Sequence, residues 1–145
     1  MKTESPKLIL MLEDESERLV RFKAVLSTLG DSVEWRHWRT APDFIAGYRS
    51  ETVDRAPALV CLDHDLFTDS PDDPDPGDGR DVARFLSEQP PVCHVIIHSS
   101  NMPAADSMFF TLQDAKWDVE KVAPLGDDWI ESYWWILAKP WLVSH

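Results

Sequence analysis

Hydrophobic residues fall along this chain in two alternating rhythms, short unbroken runs and longer stretches spaced by three and four. Residues 7 to 12, KLILML, form an apolar run without helical period, bounded by Pro6 and the acidic stretch EDESE. That pattern suits a strand buried on both faces. Leu19, Phe22, Val25, Leu26 and Leu29 then recur at helical steps, with acid at Glu15 and Glu17 in the first turn and Gly30 as the stop. Residues 33 to 38, VEWRHW, alternate apolar and polar as a half-exposed edge strand does. Thr40 and Pro42 open a second helix through about Ser50, with Phe44, Ile45 and Tyr48 on its inner side. Residues 58 to 63 predict a third, buried strand.

The stretch FTDSPDDPDPGDG follows, and its Pro, Asp and Gly predict a solvated loop. DVARFL begins a helix that the Pro90-Pro91 pair stops near Glu88. Residues 92 to 97, VCHVII, read as the fourth strand. Pro103 sits early in a helix that turns Met108, Phe109 and Leu112 inward, and residues 119 to 125 make a weaker fifth strand. DDWIESYWWILAKPWL closes the chain as a helix with Ile130, Trp134, Leu137 and Trp141 on one face, and Trp129, Tyr133 and Ile136 off it. So much apolar girth predicts a second covering surface, such as a homodimer contact, or Trp side chains that cap the core.

Five strand-helix units predict a single α/β domain over residues 1–145. Its core is a doubly wound, five-stranded parallel sheet of flavodoxin-like order 2-1-3-4-5, because parallel strands need right-handed helical crossovers. In such sheets ligands sit beyond the carboxyl ends of the strands at the switch point between strands one and three. The polar clusters of this sequence converge there. Strand one runs into Glu13-Asp14, strand three into Asp63-His64-Asp65, and strand four into His98-Ser99-Ser100-Asn101.

Composition narrows the chemistry. A formal charge of -12 and a pI near 4.6 exclude an extended basic surface for nucleic acid, though not a small anionic ligand in a local pocket. There is no run of eighteen apolar residues, and the acidic start does not fit a signal peptide, so a cytoplasmic location without a membrane span is expected. Cys61 and Cys93 fall in predicted strands without metal-ligand spacing and read as inert packing.

Four carboxylates, Glu13, Asp14, Asp63 and Asp65, within mutual reach are unfavourable unless some are protonated or a cation neutralises them. Hard oxygen donors point to Mg2+ held by Glu13, Asp14 and Asp63; imidazoles at His64 and His98 admit Mn2+ or Zn2+ instead. The bland role of each acid is helix capping. The two histidines suit an acid-base pair, with Asp65 beside them, that opens a phosphodiester ring. Strand parity, however, sets His64 against the face that Asp63 and Asp65 share. Ser99, Ser100 and Asn101 precede a helix start, where they can cap the helix or cradle phosphate oxygens. Arg80, delivered by the Asp-rich loop, is either a phosphate clamp or an ordinary solvated helix residue. His37, His94 and His145 read as structural or exposed.

KLILMLEDE followed by ALVCLDHDL resembles the receiver domain of two-component signalling. The likeness implies that Glu13 and Asp14 are the acidic metal-binding pair, Asp63 the phosphoacceptor and Ser99 the hydroxyl residue after strand four. A receiver's Lys before the Pro ending strand five is replaced here by Ala123 before Pro124, and Lys139-Pro140 comes too late. LDHDL, GDGRDVARFL and HSSNMPAADSM over about Lys7 to Trp117 more closely resemble the receiver-derived cyclic-phosphate-processing family. That family carries a His in each of two motifs, here His64 and His98, with Asn101 completing the second, and tends to place an Arg behind the acidic pair, here Arg18. The resemblance implies a metal-assisted phosphoesterase acting on a cyclic phosphate of a small nucleotide or RNA end. The alternative is a non-enzymatic receiver-like signalling or interaction module, phosphorylated at Asp63 and pairing through the Trp-rich final helix.

Overall fold

A computed structural model describes residues 5–68 and 70–143. Each expected strand forms: β1 (Lys7–Leu12), β2 (Val33–Trp38), β3 (Leu59–Leu62), β4 (His94–His98) and β5 (Asp118–Val122). All neighbours pair in parallel in the order β2-β1-β3-β4-β5, the doubly wound flavodoxin-like topology that the alternation predicts. Five helices connect or follow them: α1 (Ser16–Leu26), α2 (Ala41–Glu51), α3 (Gly79–Ser87), α4 (Met102–Asp114) and α5 (Trp135–Leu142).

The central strands β1, β3 and β4 are buried on both faces, and strand parity sorts the side chains of the sheet into two layers. Leu10, Leu12, Val60, Leu62, Val95 and Ile97 pack with Phe44 of α2, Val82 and Leu86 of α3, and Met108 and Leu112 of α4. Ile9, Met11, Leu59, Cys61 and Ile96 pack with Phe22 and Leu26 of α1 and with Trp134, Ala138 and Leu142 of the last helix. Register levels the strand ends. Leu12 lies beside Leu62, and Leu62 beside Ile97. Continued by one residue, that register sets Glu13, Asp63 and His98 in a row on the α1/α5 face and gives Asp14, His64 and Ser99 the opposite parity.

Local chemistry fixes the helix starts. Thr40 caps α2 by accepting the Asp43 N–H, and Asn101 caps α4 by accepting the Ala104 N–H. Asp78 and Asp81 form a reciprocal capping box, so α3 starts at Gly79, two residues before the apolar period that announces it. Gly79 packs so tightly that a Cβ there would lie 2.2 Å from the Asp63 carbonyl oxygen.

The final helix departs from its expected face. Ile130–Trp134 is a π-type stretch running into α5, and its wider turn advances the register of the residues beyond it. Ala138 and Leu142 are therefore buried in line with Ile130 and Trp134, while Trp141, expected inside, is 42% exposed; Trp129, just ahead of the stretch and expected off the inner face, is buried as well. Tyr133 and Ile136 do point outward, at 54% and 65%. His94, in β4, stacks on Trp141 with ring centroids 4.3 Å apart. Cys61 and Cys93 are free, and burial pushes the Cys93 thiol up to about 12 and the Cys61 thiol higher still. Among the described residues no helix is long and apolar enough to cross a membrane; His145 lies outside them.

Candidate functional site

At the carboxyl ends of β1 and β3, backbone pairing continues one residue past the strands, with the Glu13 N–H donating to the Trp38 carbonyl at 3.1 Å and the Asp63 N–H to the Leu12 carbonyl at 3.0 Å. This pins two acidic residues side by side below the rim. Glu13, Asp14 and Asp63 each offer an oxygen within 4.8 Å of the others, and all three are buried. Above them opens a pocket of about 490 Å3 lined by Asp14, Glu15, Arg18, Asp63, Asp65, Phe67 and Ser100.

The three acids are not equivalent. Burial works to raise the Glu13 pKa, but the His98 hydrogen bond and charge, the Glu15 N–H and Arg18 outweigh it and hold Glu13 below its ordinary value. Its Oε1 meets His98 Nε2 at 3.0 Å, and its Oε2 accepts the Asp14 and Glu15 N–H groups at 3.0 Å each. Burial raises Asp14, helped by the Glu13 charge and opposed by the Phe67 N–H that donates to its Oδ2 at 2.6 Å. Asp63 carries the largest penalty: burial and then the Glu13 charge push it up to about 8, against the His64 N–H and Arg18. An acidic pocket of this kind is at odds with itself until positive charge enters it.

The donor set fits a hard divalent cation. Asp14 and Asp63 each spend one oxygen on a backbone N–H and keep a second for the pocket, whereas Glu13 is engaged on both oxygens and stands behind them. Carboxylate oxygens suit Mg2+ or Mn2+. Neither imidazole joins this donor set among the described residues, so the histidine argument for Zn2+ loses its geometric basis.

The two histidines do not meet. His98 is fully buried and lies between Phe22, with ring centroids 5.2 Å apart, and Trp129, at 5.9 Å. β4 extends through His98 rather than stopping at residue 97, so strand parity drives the ring into the α1/α5 layer. His64 has the opposite parity. Its Nδ1 pairs with Asp65 Oδ1 at 2.6 Å, its Nε2 stands 3.6 Å from Asp78 Oδ2, and its carbonyl accepts the Gly79 N–H at the start of α3. The expected acid-base pair sharing one cavity is thus corrected: the rings belong to opposite faces of the sheet, and neither lines the pocket.

What His64 does is hold Asp65. The same Asp65 Oδ1 is approached by Asn101 Nδ2 at 3.5 Å, and Asp65 faces the pocket. Of the three candidate phosphate cradles, Ser99 is buried and its Oγ accepts the Asn101 N–H at 3.1 Å, Asn101 caps α4, and Ser100 lines the pocket. Arg80 is about half exposed and sits 3.8 Å from Asp78, outside the pocket lining. That is the position of a solvated helix residue.

Among the described residues, the cationic side chain that reaches Glu13 and Asp63 is Arg18. Its Nη1 lies 3.6 Å from both Glu13 Oε1 and Asp63 Oδ2, and its Nε lies 3.2 Å from Glu15 Oε2. Helix geometry foretells this, since α1 starts at Ser16 and a first-turn side chain leans back over the strand end that feeds it. Phe67 was not singled out as a site residue; its exposed ring stands at the pocket edge and its backbone N–H orients Asp14.

The family model described as "Cyclic-phosphate processing Receiver domain" matches residues 8–114. A comparison with curated proteins gives no match. Among solved structures, the phosphorylated cyanobacterial phytochrome response regulator RcpA is 19% identical, with 97% of this chain and 96% of that chain covered at a TM-score of 0.71. The Mn2+-bound form of response regulator Rcp1 is also 19% identical, with 97% of each chain covered and a TM-score of 0.71. The response regulator domain of Thermotoga maritima CheB is 13% identical over 92% of each chain, at 0.64. At these identities the likeness speaks for the fold.

Proposed function

Because this chain belongs to the cyclic-phosphate processing receiver family, we propose that it works in the cytosol as a receiver-like module. Its rim holds Mg2+ or Mn2+ and takes a phosphoryl group onto Asp63. The observation that carries this reading is the convergence of Glu13, Asp14 and Asp63 within 4.8 Å beneath an open pocket. Two structures of the same fold are described as a phosphorylated form and a Mn2+-bound form.

The Asp63 carboxylate is the nucleophile: it attacks the phosphorus of a small phosphodonor, and the bond to the leaving group breaks as the new one forms. A carboxyl at about 8 is largely protonated at neutral pH and nucleophilically weak. The bound cation supplies the charge that lets Asp63 ionise. Once cation binding frees it from the carboxylates, Arg18 is the cationic side chain within reach of the incoming phosphoryl oxygens, in place of the receiver Lys that Ala123 does not provide. The outward Tyr133 and Ile136 offer the final helix a means of pairing with a second copy.

A second reading, ring opening of a cyclic phosphate, is favoured by the Asp65 carboxylate that His64 and Asn101 hold at the pocket. Asp65 then takes the proton of the attacking water as the ring P–O bond breaks, and returns it to the leaving alkoxide oxygen. One experiment separates the two. The chain is incubated with Mg2+ and either acetyl phosphate or a 2',3'-cyclic nucleotide, while intact mass and phosphorus chemical shifts are followed. The module reading expects a single phosphoryl adduct, lost in Asp63→Asn, and no turnover of the cyclic phosphate. Turnover abolished by Asp65→Asn, without an adduct, overturns it in favour of the enzyme.

A further inference from the structure

We infer that Arg18 and a divalent cation are alternative occupants of the acidic rim, and that their exchange is transmitted to the buried Trp129 on which the guanidinium rests. The inference builds on the cation-binding reading above and adds to it the role of one side chain.

Arg18 Nη1 lies 3.6 Å from Glu13 and 3.6 Å from Asp63. Both distances exceed hydrogen-bond length and the nearest contact is from Nε to Glu15 Oε2 at 3.2 Å, so no bidentate fork locks the guanidinium onto Glu13 and Asp63. Its side chain is 20% exposed, against 0% and 6% for the two acids. The Arg therefore has a path toward water that the carboxylates lack. A divalent cation seated on Asp63 stands about 2 Å from its ligand oxygens, which puts two further positive charges within a few ångströms of the guanidinium. Repulsion over that distance in a partly buried site reverses the balance that holds Arg18 in place. Of the groups at the rim, a long and partly solvated side chain is the one that can yield.

On its other side the guanidinium carbon lies 5.3 Å from the centroid of the Trp129 ring. Trp129 is 3% exposed and packs edge-on to Phe22 at 5.8 Å and against His98 at 5.9 Å. His98 in turn bonds Glu13. Glu13, Arg18, Trp129 and His98 thus close a ring of contacts between the rim and the residue that immediately precedes the π-type stretch of the last helix. Withdrawal of the guanidinium removes a cation–π contact from Trp129 and changes its emission.

The test uses the full chain. Bound Mn2+ is counted by electron paramagnetic resonance during titration with MnCl2, and tryptophan emission is followed during titration with MgCl2. Wild type is compared with Arg18→Lys, Arg18→Met and Trp129→Phe; the last isolates one of seven tryptophans. With the competing charge gone, Arg18→Met should bind Mn2+ about tenfold or more tightly than wild type, while Arg18→Lys, which keeps a positive charge, should stay within about threefold. Mg2+ should change the emission of wild type but not that of Arg18→Met or Trp129→Phe, although both variants bind the ion. If Arg18→Met binds Mn2+ no more tightly than wild type, or retains the emission change, the exchange is refuted while cation binding stands. If neither wild type nor Arg18→Met binds Mn2+, both the inference and the cation-binding reading fall.

Discussion

Replacing Asp63 with Asn should stabilise the cation-free protein, an unusual outcome for a substitution at a buried polar residue. The Asp63 carboxyl shifts from an ordinary 3.8 in the unfolded chain to about 8 in the folded one, through burial first and the Glu13 charge second. Between those values the folded state keeps a proton that the unfolded state releases. Stability at this group is therefore intact below the unfolded value and is lost as pH rises through the window, at about 1.4 kcal/mol per pH unit. At pH 7 the loss is roughly 4 kcal/mol, a sizeable share of the ~5–15 kcal/mol typical of a domain. An amide has nothing to ionise, but it offers Arg18 a donor where an acceptor is wanted. The net gain of Asp63→Asn is then about 2–4 kcal/mol at pH 7. The assay is urea unfolding with a chelator at several pH values from 5 to 8, repeated with excess Mg2+. The difference between variant and wild type should widen with pH and narrow when Mg2+ is added, because the ion stabilises the wild-type fold by binding it. Asp63→Asn less stable than wild type at pH 7 without cations, or a difference that ignores pH, would refute the reasoning.

Other perturbations follow from named contacts. His98→Ala leaves the Glu13 carboxylate buried beside a cavity between Phe22 and Trp129 and should cost about 3–5 kcal/mol in chemical denaturation. Gly79→Ala forces a Cβ to within 2.2 Å of the Asp63 carbonyl oxygen; a loss of about 1–3 kcal/mol is expected, with the Asp63 amide resonance displaced. Asp78→Ala removes the capping box of α3 and should lower stability by about 1–2 kcal/mol without changing Mn2+ binding. Arg80→Ala, outside the pocket lining, should leave phosphoryl labelling of Asp63 at the wild-type rate, whereas a marked loss would return Arg80 to the role of clamp.

Topology was legible in the sequence because strand patterns, three of them nearly unbroken apolar runs, alternate five times with helical three-four spacing. The rim was legible for a related reason. Charged residues directly after a buried run, as in Glu13-Asp14 and Asp63-His64-Asp65, have only the strand end to go to. What the sequence hid were quantities that turn on one residue of register. Whether β4 stops at residue 97 or takes in His98 decides whether that imidazole faces the pocket or the core, and nothing in VIIHSSN marks the boundary. Parity hinted that His64 and Asp63 part company, and the structure separates them. The π-type stretch at Ile130–Trp134 likewise turns Trp141 out and brings Ala138 in, a shift invisible to a search at 3.6 residues per turn. Arg18 eclipsed Arg80 because a helix's first turn folds back over its own strand end, whereas proximity through a long loop sets no direction.

Paramagnetic broadening by Mn2+ tests the shared rim most directly. Substoichiometric Mn2+ is added to the isotopically labelled chain, and the loss of backbone amide signals is mapped by residue. Signals of Asp14, Asp63, His64 and Ser100 should vanish first, with Tyr133 and Ile136 unaffected. Broadening centred instead on the acidic loop from Asp72 to Asp75, with the strand-end amides intact, would show that these carboxylates do not form the cation site.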